Sequence, residues 1–231
     1  MPSAAARRVI LCFGDSNTWG RDPHSTARHP EDGRWPFALQ KELGEGWYVI
    51  PEGLNGRTTV WDDPIEEHRC GKAYLAPCLL SHQPIDLVVL MLGTNDLKKR
   101  FSVSPFDVGR SVGLLLDMIL RSGAGPAGGS PQTLLICPPP VGKLTEFAEM
   151  FEGAPEKSRQ LAPHYRAHAE QWGVRFLDAG GIVAASDGDG LHLDVEAHRK
   201  LGAAVAVVVR EMIAPPEFVE RRLVRPLRSR K

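Results

Sequence analysis

The stretch Ile85-Asp86-Leu87-Val88-Val89-Leu90-Met91-Leu92 decides the fold. Every residue in it except Asp86 is apolar, so a strand formed by this run is hydrophobic on both faces. Such a strand is typical of the centre of a parallel sheet that helices cover on both sides. The run therefore predicts an α/β protein.

Shorter apolar runs on either side of this stretch alternate with helical patterns. The predicted strands are Arg8–Phe13, Trp47–Pro51, Ile85–Leu92, Thr133–Cys137 and Val174–Leu177. The predicted helices are Trp35–Leu43, Ala73–Ser81, Pro105–Arg121, Pro155–Trp172 and Val195–Ile213. This alternation predicts a doubly wound parallel sheet with right-handed crossovers. Sheets of this kind bind ligands at the carboxyl ends of their strands.

Length and charge narrow the class of protein. We expect one α/β domain over residues 1–214 and a basic C-terminal tail over 215–231, since the chain has 231 residues and its last stretch is rich in arginine. The 28 Lys and Arg balance the 28 Asp and Glu, which argues against nucleic acid or an anionic membrane as a partner. No apolar run is long enough to span a bilayer, and no signal peptide is recognisable.

Cysteine spacing indicates a cytoplasmic protein. None of the four cysteines forms a Cys-x-x-Cys pair, and two lie in predicted buried strands: Cys12, Cys70, Cys78 and Cys137. We therefore expect reduced thiols; a bridge between Cys70 and Cys78 is the alternative for an exported protein.

Polar residues follow four of the predicted strands. The segments are Gly14-Asp15-Ser16-Asn17-Thr18, Glu52-Gly53-Leu54-Asn55-Gly56, Gly93-Thr94-Asn95-Asp96 and Asp189-Gly190-Leu191-His192. Each segment alone is compatible with a turn or a helix N-cap. Together, at one edge of a parallel sheet, they predict an active site.

These residue types match the needs of acyl transfer. A serine hydroxyl becomes a nucleophile when a base accepts its proton, and we interpret Ser16 as the nucleophile and His192 as the base. Asp189 lies three residues before His192 and is placed to hold its tautomer. The backbone N–H of Ser16, the N–H of Gly56 and the side-chain amide of Asn95 are the candidate donors to an oxyanion.

The four segments resemble the SGNH hydrolases, the superfamily that contains the GDSL esterases and lipases. The serine block is similar to Gly14–Thr18, and the glycine, asparagine and histidine blocks to Gly56, Asn95 and His192. The resemblance covers most of the chain and implies a three-layer α/β/α, flavodoxin-like fold with a five-stranded parallel sheet.

Longer runs around these blocks resemble the bacterial arylesterase and acyltransferase branch. That resemblance implies hydrolysis of short-chain acyl or aryl esters, acyl transfer to alcohols or peroxide, and a homo-oligomer. Three features depart from the branch, namely Arg21, the pair Asn55 and Gly56, and the basic tail. A carbohydrate O-deacetylase, a thioesterase and a non-catalytic flavodoxin-like binding module are the alternatives.

Several further residues are expected to contact a small-molecule ester substrate. These candidates lie in or beside the polar loops: Trp19, Asn55, Thr94, Val141 and Phe151. The segment 142–153 is a candidate lid or oligomer contact. No metal or organic cofactor is expected; His164 and His168 have zinc-compatible spacing but no evident third ligand, so we expect them on a solvated helix face.

Overall fold

The computed structural model of the protein describes residues 7–213, in which five parallel strands form one sheet. The strands are β1 (Arg8–Gly14), β2 (Trp47–Gly53), β3 (Leu87–Met91), β4 (Gln132–Cys137) and β5 (Arg175–Asp178). Their order, β2-β1-β3-β4-β5, is that of flavodoxin-like sheets, with a reversal at β1 and β3. The predicted α/β class and five-stranded parallel sheet are confirmed.

Helices cover both faces of the sheet. They are α1 (Ser16–Trp19), α2 (Trp35–Leu43), α3 (Gly71–His82), α4 (Pro105–Leu120), α5 (Ala154–Ser158), α6 (Leu161–Trp172) and α7 (Val195–Met212). Buried residues of α3, α4 and α6 share one hydrophobic core, and those of α2 and α7 share the other. The expected three layers are therefore present.

The central strand contributes to both cores, as its composition predicts. Val88 and Leu90 of β3 face the core that contains α4, whereas Leu87 and Val89 face the core that contains α7. All four side chains are fully buried. The uninterrupted apolar run thus follows from the two-sided burial of a strand whose side chains alternate.

The predicted helix Pro155–Trp172 is wrong as one element, because the chain forms two helices there, α5 and α6. Pro163 lies in the first turn of α6. In one continuous helix, its ring would clash with the carbonyl of residue 159, so a new helix starts at Leu161 instead. The other predicted elements are present with ends that differ by at most two residues.

The expected solvated position of His164 and His168 is also wrong. Both side chains are half-buried where α6 packs on α4, opposite two glycines of that helix. A Cβ atom on Gly109 would lie 2.7 Å from the Cβ of His164. The glycines therefore let the two helices approach closely, and the histidines fill the space between them.

Three expectations concern membrane-spanning helices, a disulfide bridge and the C-terminal tail. No helix among residues 7–213 has the length and apolar character to cross a membrane. The four cysteines are buried free thiols, so the alternative bridge between Cys70 and Cys78 is absent. The predicted basic tail, 215–231, lies outside the described residues.

Two adjacent leucines of α4 test the assignment of its buried face. Leu115 is fully buried, whereas Leu114 is 39% exposed. We predict that Leu115→Ala lowers the free energy of unfolding by about 2–5 kcal/mol, because it leaves a cavity in the core. Leu114→Ala, the same chemical change one residue away, should alter it by about 0.5 kcal/mol or less. Equal losses in urea unfolding would contradict this packing.

Candidate active site

Ser16 is placed by the turn that joins β1 to α1. Asp15 is the N-cap of α1, and its Oδ1 accepts a hydrogen bond of 3.0 Å from the backbone N–H of Asn17. Ser16 is therefore the first residue of the helix. Burial raises the pKa of Asp15 to about 6 against the opposing effect of this hydrogen bond. Asp15 thus supports the turn that positions Ser16.

The structure brings Ser16, His192 and Asp189 into one hydrogen-bonded chain. Ser16 Oγ lies 2.9 Å from His192 Nε2, and His192 Nδ1 lies 2.5 Å from Asp189 Oδ2. A carboxylate only accepts hydrogen bonds, so Nδ1 carries the proton and Nε2 is left to accept from the serine hydroxyl. All three residues are at least nine-tenths buried.

Asp189 is held as a carboxylate by the loop that it begins. Its Oδ1 accepts hydrogen bonds from the backbone N–H groups of Leu191, at 2.8 Å, and His192, at 2.9 Å. Burial acts to raise the pKa of Asp189, but hydrogen bonds from the ring and backbone of His192 outweigh it, and the pKa lies below its usual value. The group is therefore ionised at neutral pH and faces a ring that gains positive charge on protonation.

Asn17 fixes the loop of His192 against α1. Its Nδ2 donates to the carbonyl of Leu191, and its Oδ1 accepts from the N–H of Leu193, both at 3.1 Å. One amide side chain thus holds the backbone on both sides of His192. Sequence reasoning did not identify this role of Asn17, because its partners lie more than 170 residues away.

The three predicted oxyanion donors border the same cavity as Ser16 Oγ. Gly56 has φ +77°, a left-handed backbone conformation that favours glycine, and a Cβ atom there would displace the Glu66 carboxylate, whose Oε2 would lie 2.7 Å away. The side-chain Nδ2 of Asn95 donates one hydrogen bond of 3.1 Å to the carbonyl of Arg57 and has a second hydrogen available. Among residues 7–213, no protein acceptor takes a hydrogen bond from the N–H of Ser16 or Gly56.

Arg57 links three of these loops through hydrogen bonds. Its guanidinium donates to the carbonyls of Gly14, at 2.8 Å, and Glu52, at 2.5 Å, and lies 4.2 Å from the centre of the Phe13 ring. Its carbonyl is the group that receives the Asn95 amide. Arg57 therefore links the ends of β1 and β2 to the loop after β3, and sequence reasoning did not identify it.

Asp96 makes a second connection between these loops. Its carboxyl group accepts from the N–H of Thr59, at 3.0 Å to Oδ2, and from the hydroxyl of the same residue. Complete burial raises the pKa of Asp96 to about 7, although both hydrogen bonds oppose the rise. These hydrogen bonds hold the loop that carries Asn95 against the loop that carries Arg57.

The cavity beside Ser16 Oγ has a volume of about 120 Å³. Its lining is mixed: it includes the charged side chains of Arg21, Glu66 and Lys98 and the apolar side chains of Phe147, Met150, Phe151 and Leu191. The Arg21 guanidinium lies 5.6 Å from the centre of the Phe147 ring.

Three of the five expected substrate contacts line this cavity, namely Asn55, Thr94 and Phe151. Trp19 and Val141 lie outside its lining, which corrects their expected position. The Trp19 ring packs beneath the guanidinium of Arg28, 4.8 Å from the ring centre, and Val141 is buried in the core with its N–H bonded to Ser158 Oγ. The segment 142–153 supplies Phe147, Met150 and Phe151 to the lining.

The buried charge of Lys98 is neutralised by neighbouring carboxylates. Lys98, which is 2% exposed, donates from Nζ to Asp63 Oδ2 at 3.2 Å and to Glu66 Oε1 at 2.8 Å. Arg100 pairs with the other oxygen of Asp63 at 2.9 Å. The pairs satisfy the buried charges and leave Glu66, one-third exposed, at the cavity.

Comparison with known proteins places this geometry in a family. Residues 12–200 match the model of the GDSL-like lipase/acylhydrolase family. The chain belongs to this family. None of the curated proteins matches the sequence at a significant level.

Solved structures extend the likeness to most of this chain. A carbohydrate acetylesterase from Sinorhizobium meliloti is 39% identical, with a TM-score of 0.86, over 90% of this chain and 100% of that one. The aryl esterase of M. smegmatis is also 39% identical, with a TM-score of 0.85, over 89% of this chain and 100% of that one. This GDSL-like protein is accordingly a carboxylic ester hydrolase.

Asn17→Asp tests whether the hydrogen bonds of Asn17 position His192. The variant keeps the acceptor for Leu193 but loses the donor to Leu191, which loosens the backbone around the histidine. We predict that kcat for phenyl acetate falls about 10²-fold, because small misplacements of reacting groups cost that much, while KM changes little. An unchanged kcat in a variant with normal melting temperature would contradict this role.

Asp96→Asn tests the raised pKa of Asp96. Because the folded-state pKa of about 7 exceeds the unfolded value of about 3.9, Asp96 stabilises the protein most below pH 4, and this contribution is lost as the pH rises to 7. We predict that the unfolding free energy of the wild type, minus that of the variant, falls by about 1.4 kcal/mol per pH unit between pH 4.5 and 6.5. Urea unfolding measures this difference; a flat difference would show that Asp96 keeps an ordinary pKa.

Proposed function

We propose that the protein hydrolyses short-chain acyl or aryl esters through an acyl-enzyme on Ser16. The supporting observation is the hydrogen-bonded chain from Ser16 Oγ through His192 to Asp189 at the edge of a small cavity. Ser16 Oγ attacks the ester carbonyl carbon while its proton moves to His192 Nε2. Asp189 holds the ring tautomer and stabilises the imidazolium that forms.

The carbonyl oxygen becomes negatively charged in this step and needs donors that are already in place. The N–H groups of Ser16 and Gly56 and the free hydrogen of Asn95 Nδ2 supply them. His192 then protonates the leaving alcohol, and the C–O bond to it breaks. A water molecule then attacks the acyl carbon while its proton moves to His192 Nε2. The bond from that carbon to Ser16 Oγ breaks, the acid leaves, and His192 returns the proton to Ser16 Oγ.

The small cavity supports a short acyl group, and the apolar part of its lining supports acyl transfer as well. The side chains of Phe147, Met150, Phe151 and Leu191 lack the oxygen and nitrogen atoms that bind water, so they favour an apolar alcohol over water beside the acyl-enzyme. We include transfer to an alcohol or peroxide in the proposal. It is measured as the ratio of ethyl acetate to acetic acid formed from phenyl acetate in the presence of ethanol.

Three further expectations from the sequence stand as part of this proposal. They are a small-molecule ester as partner rather than nucleic acid or membrane, a cytoplasmic location, and a homo-oligomer. Light scattering measures the assembly state, and a strict monomer would contradict the expected homo-oligomer.

A carbohydrate O-deacetylase is the second candidate, and the mixed polar and apolar lining of the cavity favours it. Sugars bind through hydroxyl groups and through an apolar face of C–H groups. Glu66 and Asn55 Oδ1, which is buried and has no hydrogen-bond partner among residues 7–213, offer acceptors, and the half-buried ring of Phe147 offers an apolar face.

Replacement of the nucleophile tests the leading proposal. We predict that Ser16→Ala lowers kcat for p-nitrophenyl acetate by at least about 10⁴-fold and that Asp189→Asn lowers it by about 10⁴-fold, because the histidine tautomer is lost. Ser25→Ala, a change at an exposed serine, should retain wild-type turnover. Equal turnover by wild type and Ser16→Ala would refute the nucleophile.

Glu66→Gln distinguishes the two substrate classes. If Glu66 accepts a hydrogen bond from a sugar hydroxyl, kcat/KM for acetylated xylose should fall about tenfold or more, the usual effect of losing a hydrogen bond to a charged group. The value for phenyl acetate should change far less, since that leaving group has no hydroxyl donor. Parallel losses on both substrates would leave the aryl esterase as the sole candidate.

A further inference from the structure

Three side chains with metal-binding atoms meet where the end of β2 approaches the end of α3. They are Glu52, Cys78 and His82, and one ligand atom of each lies within 4.8 Å of the other two. Cys78 and His82 are four residues apart on α3 and therefore share one face of the helix. Glu52, on the neighbouring strand, faces them with its Oε1 3.0 Å from His82 Nε2.

This donor set suits zinc. Thiolate sulfur, imidazole nitrogen and carboxylate oxygen are the three ligand types found in zinc sites. Bond lengths of about 2.0–2.3 Å place the ligands of a tetrahedral ion roughly 3.3–3.7 Å apart. The observed separations therefore need about an ångström of adjustment, within reach of rotations of the Glu52 and His82 side chains.

Burial and charge around the cluster allow an ion to enter. The side chains of His82 and Glu52 are 29% and 21% exposed, whereas Cys78 is fully buried. His82 is the last residue of α3, where the helix dipole favours positive charge. Burial, with the nearby Glu52 carboxylate, raises the pKa of the Cys78 thiol to about 12, so without a metal it keeps its proton.

The positive charge of Arg57 lies near Cys78 and would repel a metal ion bound there. Two anionic ligands offset that opposition. As the Sγ–metal bond forms, the S–H bond of Cys78 breaks and its proton passes to solvent; the thiolate and Glu52 then neutralise the two charges of the ion. The Arg57 side chain remains bonded to the backbone carbonyls of Gly14 and Glu52.

We propose that Glu52, Cys78 and His82 bind one Zn²⁺ ion, with water as the fourth ligand, at a site separate from Ser16 and His192. Ester hydrolysis does not use this ion. It would instead stabilise the fold by joining the end of β2 to α3, because a ligand bound only by the folded state raises stability.

Cobalt is the probe, since Co²⁺ enters zinc sites and its thiolate bonds absorb light. Untagged, metal-free protein should bind one Co²⁺ per chain, with a thiolate-to-cobalt charge-transfer band and the visible bands of a four-coordinate ion. One equivalent of Zn²⁺ should abolish these bands. Zn²⁺ should also raise the melting temperature.

Variants connect the signal to the site. Cys78→Ser should lose the charge-transfer band, and His82→Gln and Glu52→Gln should weaken binding at least about tenfold. The matched controls are Cys70→Ser, a buried thiol just before α3, and His68→Gln, an exposed histidine; both should bind as the wild type does. Metal-free Cys78→Ser should still hydrolyse phenyl acetate, which confirms that it folds.

Two results would overturn the site. One is the absence of a thiolate band in the wild type at stoichiometric Co²⁺. The other is an unchanged band in Cys78→Ser, or equal losses in Cys78→Ser and Cys70→Ser. Neither result bears on Ser16, because the hydrolysis assay is run without added metal.

Discussion

The 2.9 Å contact between Ser16 Oγ and His192 Nε2 joins two loops that are 176 residues apart in the chain. No local preference creates such a contact. It depends on a sheet in which every strand is parallel, because only then do the ends of β1, β2 and β3 and the loop before α7 reach one edge. The two-sided apolar strand β3 is the part of the chain that requires this sheet, since both of its faces must be covered by helices.

A shared edge brings the loops near each other, but buried polar groups set their positions within it. Asn17 fixes the backbone on both sides of His192, Arg57 joins the ends of β1 and β2, and Asp96 joins the loops after β2 and β3 through Thr59. A buried polar group left without a partner costs about 1–3 kcal/mol, so each of these groups favours the one loop arrangement that satisfies it. The same bonds hold the proposed oxyanion donors in place before substrate arrives, which is the condition for electrostatic catalysis.

The sequence was enough to predict the sheet, most helices and the residues that meet at its edge, because strand composition and four short polar segments are local signals. It was not enough to predict their supports. Asn17 and Arg57 bond to backbone carbonyls of distant segments, and nothing in the local sequence shows which carbonyls those are. Trp19 and Val141 were misplaced for a related reason: nearness to a loop in sequence does not determine which way a side chain points. The ion pair between Lys98 and Glu66 was missed, since the two residues come together only through tertiary packing.

Covalent capture of the nucleophile tests the central claim most directly. The protein is incubated with diethyl p-nitrophenyl phosphate, an ester whose phosphoryl group transfers to an activated serine and leaves it blocked. We predict one diethylphosphoryl group per chain, located by peptide mass spectrometry on Ser16, with loss of hydrolysis in proportion to labelling and with much slower labelling in His192→Ala. A label on another residue with Ser16 unmodified, or full inactivation without a covalent adduct, would contradict the assignment of Ser16 as the activated nucleophile.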